Sequence, residues 1–207
     1  MAIIDPKKKA QLKRELERMM AIDAYTRSVV LKAHADYILK KEGKQGLEKV
    51  EKVMAELGWP VNLHKIDIFS WKPDGLLVGV ALVAKTIFNW PDEEAFLMGK
   101  EAASNSFLVR LTLRYLISPK MAFKNAYRLW ERYYKFGKLE TVELNEKDKY
   151  AILRVTRPKV HPIVCSYYRG YITQIGEYIF GKNKVHVTET KCQFKGDPYH
   201  EYLIKWS

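Results

Sequence analysis

The sequence predicts an α+β fold in which N-terminal helices pack on an antiparallel sheet. Long segments of helical periodicity come first, and two short alternating segments then pair as a meander. A further helix before a closing hairpin makes a C-terminal strand–helix–hairpin unit, and this order of elements is typical of the α+β class. With 207 residues, 47% of them hydrophobic, the chain has ample material for a core.

The N-terminal part predicts three helices. Residues 7–20 form an amphipathic helix with charged residues between its apolar positions. Those positions are Leu12, Leu16, Met19 and Met20. A second helix follows Asp23, a candidate N-cap, and stops at Gly43, and a third begins at Gly46.

The middle of the chain predicts one strand and three helices. Residues 65–69 alternate like a short strand, and an apolar helix follows over residues 76–88. Pro91 and the carboxylates after it open a helix that runs toward Ile117. A fourth segment, residues 121–136, continues as a helix that Gly137 ends.

The C-terminal part changes character. Residues 138–144 and 150–155 read as paired strands around a turn, and Pro162 opens a helix. Residues 188–206 then form a hairpin with a Gly-Asp-Pro turn.

The domain organisation follows from the absence of repeats and linkers. We predict a single domain over residues 23–207 and a helical arm over residues 1–22. We expect the arm to pack on the domain or on a second copy, and a membrane surface is the less favoured alternative. Its Leu-Met stripe needs cover, and this favours a homodimer in which the arm crosses a two-fold interface.

The formal net charge of +12 favours nucleic acid or anionic lipid as a partner. Acidic residues lie between the basic ones, however, and no nucleic-acid-reading motif appears. We therefore prefer a lysine-rich solvated surface and keep nonspecific nucleic-acid binding as an alternative. No apolar run reaches the length of a membrane span, and no secretory segment opens the chain, so a soluble, cytoplasmic protein is expected.

Four side chains near the closing hairpin suggest a metal site. Glu189 and Cys192 end the first strand, and the turn returns His200 beside them. Cys165 lies in the first turn of the preceding helix, where the helix dipole favours a thiolate. Thiolate, imidazole and carboxylate are the ligands that zinc prefers. Their spacing matches no common zinc-finger pattern, and the alternative is that both cysteines are small buried hydrophobic residues.

Residues 26–206 resemble the 4-vinyl reductase domain family and its haem-NO-binding-associated relatives. Four segments carry the resemblance, above all the last: "WPDEEAFLMGKEAA", "RLWERYYKFGKLETVEL", "HPIVCSYYRGYI" and "VHVTETKCQFKGDPYHEYLIKW". In sensor domains of phenol-responsive bacterial regulators, this module holds a structural zinc through three cysteines and a glutamate. The resemblance thus implies zinc on Cys165, Glu189, Cys192 and His200, with His200 where the family usually has cysteine.

The resemblance also implies a small-molecule-binding module. The chain carries no P-loop and no dinucleotide-binding motif, so we expect a stand-alone sensor or carrier that a separate effector protein reads. Its ligand would be a small hydrophobic or aromatic molecule in a mainly apolar pocket. Candidate lining residues, for which core packing is the alternative, are Trp71, Phe96, Phe107, Trp130, Tyr134 and Tyr167.

Two other functions remain open. The family name implies an accessory protein or reductase that acts on the vinyl group of a tetrapyrrole, yet no nicotinamide or flavin motif is present. The histidines outside the hairpin form no acid–base set, so we predict that the chain is not an enzyme. These are His34, His64, His161 and His186. The other alternative is a dimerising interaction module, because vesicle-tethering subunits share the broad fold.

Overall fold

The computed structural model describes residues 4–105 and 118–207. Helices and antiparallel sheets make up the described chain, which confirms the α+β class. Backbone contacts divide the chain into two compact units, Met1–Glu94 and Ala95–Ser207. The predicted division into residues 1–22 and 23–207 stays a prediction.

The first unit consists of helices around a short two-stranded sheet. Its elements are α1 (Pro6–Met20), β1 (Tyr25–Arg27), α2 (Ser28–Glu56), β2 (Trp71–Pro73) and α3 (Asp74–Ile87).

Helix α1 packs within its own chain. The Asp5 carboxylate caps it by accepting hydrogen bonds from the backbone amides of Lys7 and Lys8, at 2.9 and 3.2 Å. Leu12, Leu16 and Met19 of the predicted apolar stripe are buried, Met20 is half-buried, and the helix lies against α3. Because α3 covers the stripe, a second copy is not needed to cover it.

Helix α2 joins two predicted helices across a break. Gly43 keeps a non-helical backbone (φ 69°, ψ −175°) at the predicted stop, and the helix continues beyond it. The prediction that Asp23 caps this helix is wrong. Residues Tyr25–Arg27 instead pair with Trp71–Pro73 as a small antiparallel sheet, so the helix begins only at Ser28.

The predicted strand over residues 65–69 is also wrong. This segment forms turns, in which Asp67 accepts hydrogen bonds through its side chain from Phe69 N (3.0 Å) and through its backbone from Ser70 N (3.2 Å). Strand pairing starts only at Trp71. The alternation of residues 65–69 was too short to outweigh this aspartate-initiated turn.

The second unit contains the main sheet. Its elements are α4 (Glu93–Asn105, which begins at the boundary), α5 (Pro119–Lys124), α6 (Ala126–Tyr133), β3 (Lys138–Asn145), β4 (Tyr150–Thr156), α7 (Ile163–Phe180), β5 (Val185–Lys191) and β6 (His200–Trp206). The predicted helix over residues 121–136 is divided in two at Asn125, and Ile117 lies outside the described residues.

The sheet is antiparallel throughout, in the order β3-β4-β6-β5. Ala151, Leu153 and Val155 alternate inward along β4, and Tyr202 and Ile204 do so along β6. Helix α7 packs on β5 and β6. Register shifts interrupt the pairing in both outer strands, at residues 141–143 of β3 and 189–191 of β5.

No helix among the described residues is long and apolar enough to cross a membrane. The predicted cytoplasmic location stays a prediction.

Helices α4 and α7 cross at unusually close range. A Cβ atom on Gly170 would lie 1.9 Å from the carbonyl oxygen of Phe96, and one on Gly99 would lie 2.0 Å from that of Tyr167. Both values are far below van der Waals contact. Only glycine at both positions lets the two backbones touch, which positions the first turns of α7 over the sheet.

We therefore predict that Gly170→Ala destabilises the protein by roughly 2 kcal/mol, because the new methyl group forces the helices apart. Urea unfolding measures this change. Gln174→Ala, which introduces alanine at another position of α7, is the control. It should change the free energy of unfolding by no more than about 0.5 kcal/mol. An unchanged unfolding midpoint for Gly170→Ala would contradict the close crossing.

Candidate functional site

The four predicted ligand residues come from three elements of the second unit. Cys165 lies in the first turn of α7, Glu189 lies near the end of β5, Cys192 follows that strand, and His200 is the first residue of β6. They form one group, which we call the hairpin cluster. The convergence of these four side chains is as the sequence predicts.

The ligand-type atoms of the hairpin cluster all lie within 4.8 Å of one another. The Sγ atoms of Cys165 and Cys192 are 3.6 Å apart, and Cys165 Sγ is 3.8 Å from His200 Nδ1. His200 Nδ1 is 2.9 Å from Glu189 Oε1. His200 and Cys192 are buried, whereas Cys165 and Glu189 are half-buried.

A tight turn holds the two ends of the hairpin together. The Cys192 amide donates to Asp197 Oδ2 (2.8 Å), and the amides of Lys195 and Asp197 donate to the Cys192 carbonyl (2.9 and 3.2 Å). Gly196 adopts φ 103°, a left-handed conformation that closes the turn. The Gly-Asp-Pro signal in the sequence thus acts through the Asp197 side chain as well as through the backbone.

The register shift in β5 sets the position of Glu189. Glu189 pairs with Tyr202 and Lys191 pairs with Glu201, so one residue of β5, Thr190, has no direct partner. The Thr190 hydroxyl donates instead to the Glu201 carbonyl (3.2 Å). Such a shift redirects the flanking side chains, and here it leaves Glu189 facing His200.

The charge balance of the hairpin cluster disfavours a free thiolate. Burial raises the pKa of the Cys165 thiol well above its usual range, and the Glu189 carboxylate and the Cys192 thiol raise it further. The Cys165 sulfur is therefore suited to remain a thiol unless a cation compensates the charge of its thiolate. The arrangement can bind a cation through its sulfur, nitrogen and oxygen atoms, or it can stay a hydrogen-bonded polar cluster.

Sequence reasoning missed Tyr202, which lies beside the hairpin cluster. Its side chain is fully buried, and its hydroxyl has no hydrogen-bond partner among the described residues; the same is true of His200 Nε2. Burial, followed by the nearby Glu189 carboxylate, raises the pKa of Tyr202 well above its usual value. The available signal was spacing, because a residue two positions after His200 lies on the same face of a strand.

The predicted pocket-lining residues differ in burial and in contacts between the two units. In the first unit, Trp71 is half-buried, and the guanidinium of Arg27 lies 4.1 Å from its ring centroid. Phe107 lies outside the described residues. The pocket itself stays a prediction.

In the second unit, Trp130 and Tyr167 are buried, which agrees with the core-packing alternative. Trp130 stacks on Tyr134 at 4.2 Å between ring centroids. Tyr134 and Phe96 remain half-buried, and the Arg169 guanidinium lies 5.1 Å from the Phe96 ring.

No protein-family model and no curated protein matches the chain. Solved structures do. The chain is similar to an H-NOX protein from S. oneidensis in the Fe(II)NO ligation state, with a TM-score of 0.66 and 11% identity over 87% of this chain and 99% of that chain. It is also similar to an oxygen-binding H-NOX domain related to soluble guanylate cyclases (TM-score 0.63, 10% identity, 87% and 95% covered). The chain is similar as well to an H-NOX mutant protein from K. algicida, with a TM-score of 0.63 and 10% identity over 87% of this chain and 96% of that chain.

These likenesses show that the chain has the H-NOX fold. They support the haem-NO-binding side of the predicted resemblance at the level of fold, whereas the 4-vinyl reductase family name finds no support among the comparisons.

The prediction of structural zinc as the cofactor is wrong. Several of the similar solved structures are described by an Fe(II) ligation state, and the description of another concerns haem redox potential and porphyrin distortion. Against that background, convergence of two thiols, an imidazole and a carboxylate is too general a pattern to assign zinc.

Proposed function

We propose that the chain is a small-molecule-binding sensor domain. The observation that carries this proposal is the extent of the fold match, which covers 87% of this chain and 99% of the S. oneidensis H-NOX protein. The likeness therefore extends over a whole ligand-binding domain and not over one motif. We further propose that the ligand is a small hydrophobic or aromatic molecule.

The partial exposure of two predicted lining residues supports an apolar ligand. Tyr134 and Phe96 are large aromatic side chains with part of their surface uncovered within the second unit. Sites for such ligands are mainly apolar with a few polar groups that orient the ligand. A homodimer and a separate effector protein belong to the same proposal, because a sensor domain transmits ligand binding through contacts with another chain.

The geometry of the hairpin cluster supports a role other than catalysis. His200 contacts the Cys165 thiol but is fully buried, and the pKa of that thiol is raised. A cysteine nucleophile needs the opposite arrangement, with a lowered pKa and access to the substrate.

Native mass spectrometry of the purified protein tests the leading proposal. We expect a mass excess that disappears on denaturation, and we expect the extracted compound to raise the melting temperature when it is added back. Tyr134→Ala should weaken retention of the compound about tenfold, since an aromatic ring that the ligand covers contributes about 1.5 kcal/mol or more. Tyr127→Ala, at an exposed tyrosine of the same unit, is the matched control. Equal masses under both conditions and no thermal shift would contradict the proposal.

A second candidate function is haem-dependent gas sensing, and one residue favours it. Haem iron needs an axial ligand such as a neutral imidazole, and bound haem supplies a metal that takes up a diatomic gas. His34 on α2 is buried, and burial lowers its pKa to about 4, so its imidazole is neutral. Its Nδ1 lies 3.2 Å from the Leu77 carbonyl, the kind of contact that fixes the tautomer of a metal-binding histidine. Residues 106–117 contain no histidine or cysteine.

Titration of the protein with haem tests this second candidate. If His34 holds the iron, a Soret band should grow to one haem per chain and should be lost in His34→Ala. His186→Ala changes an exposed histidine on β5 and should leave the band unchanged. Circular dichroism of both variants separates loss of haem from loss of folding. A Soret band that survives His34→Ala excludes His34, and absence of any band excludes haem as the ligand.

The hairpin cluster as a metal-ligand set is a separate proposal. We propose that Cys165, Glu189, Cys192 and His200 can bind one metal ion. Convergence of the four ligand atoms within 4.8 Å supports this, and so does the raised pKa of the Cys165 thiol, because a bound cation would stabilise its thiolate.

Cobalt(II) serves as the optical probe for this proposal. We expect one cobalt ion per chain, a sulfur-to-metal charge-transfer band, and a rise in melting temperature. Cys192→Ala should abolish the band, and His200→Cys should retain it. Glu201→Gln changes a neighbouring carboxylate that pairs with Arg154 outside the cluster and is the matched control. Identical cobalt spectra for the wild type and Cys192→Ala would contradict the ligand assignment.

A further inference from the structure

The turn between α2 and β2 exposes two apolar side chains. Phe69 is 76% exposed, and Ile68 before it is 37% exposed. We call these two residues the apolar tip. Tyr25, on the strand that pairs with β2, is also exposed at 42%. Isolated exposed apolar residues are ordinary, but a nearly uncovered phenylalanine next to an exposed isoleucine needs a reason.

Hydrogen bonds on both sides hold the apolar tip in place. Asp67 Oδ1 accepts from Phe69 N (3.0 Å), and the Asp67 carbonyl accepts from the Ser70 hydroxyl (2.8 Å). The Arg27 guanidinium donates to the Phe69 carbonyl (2.8 Å), and the Ser28 amide donates to the Ser70 carbonyl (2.9 Å). The exposure of Phe69 is therefore a property of an ordered turn.

Cations flank the apolar tip on both sides along the chain. Lys65 and Lys72 are exposed, and neither has an ion-pair partner among the described residues. Arg27 lies directly behind the Phe69 carbonyl. The one carboxylate within residues 65–72, that of Asp67, accepts the Phe69 amide and thus caps the turn. The three cations Lys65, Lys72 and Arg27 thus outnumber this carboxylate, and the chain as a whole carries a formal charge of +12.

The chemistry of this surface distinguishes between possible partners. Single-stranded nucleic acid needs flat aromatic faces on which bases stack. Trp71 does not offer a free face on the side where the Arg27 guanidinium lies 4.1 Å from its centroid, and Ile68 cannot stack. An anionic bilayer instead takes up apolar side chains of any shape at its interface and attracts lysines to its headgroups.

We propose that the apolar tip inserts into the interface of an anionic membrane, with Lys65 and Lys72 lying on the lipid headgroups. This peripheral contact is independent of the proposed ligand-binding function. It fits a chain whose described residues contain no helix that could cross a membrane.

Co-sedimentation with vesicles tests the proposal. The full chain is mixed with vesicles of phosphatidylcholine alone or with one third phosphatidylglycerol. We expect the wild type to bind the anionic vesicles. Binding should weaken about tenfold in Phe69→Ser, because the variant lacks the phenyl ring that the bilayer interface would bury. Val142→Ser, at an apolar residue on β3 that is 47% exposed, is the control and should bind as the wild type does.

A charge-matched pair of variants separates the local cations from the net charge. Lys65→Gln with Lys72→Gln should weaken binding roughly 20- to 30-fold, since each lysine near an anionic surface contributes about fivefold. Lys120→Gln with Lys182→Gln changes the net charge equally at exposed positions of the second unit and should have a much smaller effect.

Three outcomes would overturn the proposal. The first is equal binding of Phe69→Ser and the wild type to anionic vesicles, which would mean attraction by net charge alone. The second is no vesicle binding together with self-association that Phe69→Ser abolishes, which would make a second copy the partner. The third is no vesicle binding together with binding of a single-stranded oligonucleotide that depends on Phe69.

Discussion

Backbone pairing of β6 with β4 on one side and β5 on the other fixes which side chains of the second unit turn inward. A slip of one residue would move His200, Tyr202 and Ile204 to the opposite face. The hairpin cluster exists only in the observed register, because His200 then meets Glu189 across the sheet and Cys165 from the helix above. The geometry of the cluster is thus a consequence of the sheet, and the close crossing at Gly99 and Gly170 keeps α7 near enough to complete it.

The sequence predicted best where one local signal decided the structure. Asp197 and Gly196 specify a tight reversal, so the approach of His200 to Cys192 could be anticipated. Prediction failed where distant backbone pairing decided the outcome. Residues Tyr25–Arg27 form a strand because Trp71–Pro73 lie beside them, and nothing local to either segment reveals this. Sequence analysis missed Tyr202 because two properties of the folded protein distinguish it. The side chain is buried, and its hydroxyl has no hydrogen-bond partner among the described residues. A pattern of residue types shows neither property.

A shared fold and a shared ligand are separate properties at this level of divergence. At 10–11% identity, the chain retains the H-NOX fold while nearly nine in ten of the matched residues differ. The chemistry of a haem protein depends on the axial ligand and on its immediate hydrogen-bond partner. Under the second proposed function, the candidate axial ligand is the neutral imidazole of His34, whose Nδ1 contacts the carbonyl of Leu77. The hairpin cluster is a second polar centre, built from other residues in the other unit.

The register shifts in β3 and β5 have a consequence for behaviour at high concentration. These strands are the two outer members of the sheet, and outer strands are where backbone amides and carbonyls can pair with another molecule to extend a sheet. An irregularity in each one disturbs the straight ladder that such stacking needs. Charged and polar side chains, including Lys138 on one and His186 on the other, add to the obstacle. The irregularity in β5 that turns Glu189 toward His200 is therefore also a feature that disfavours edge-to-edge pairing with another sheet.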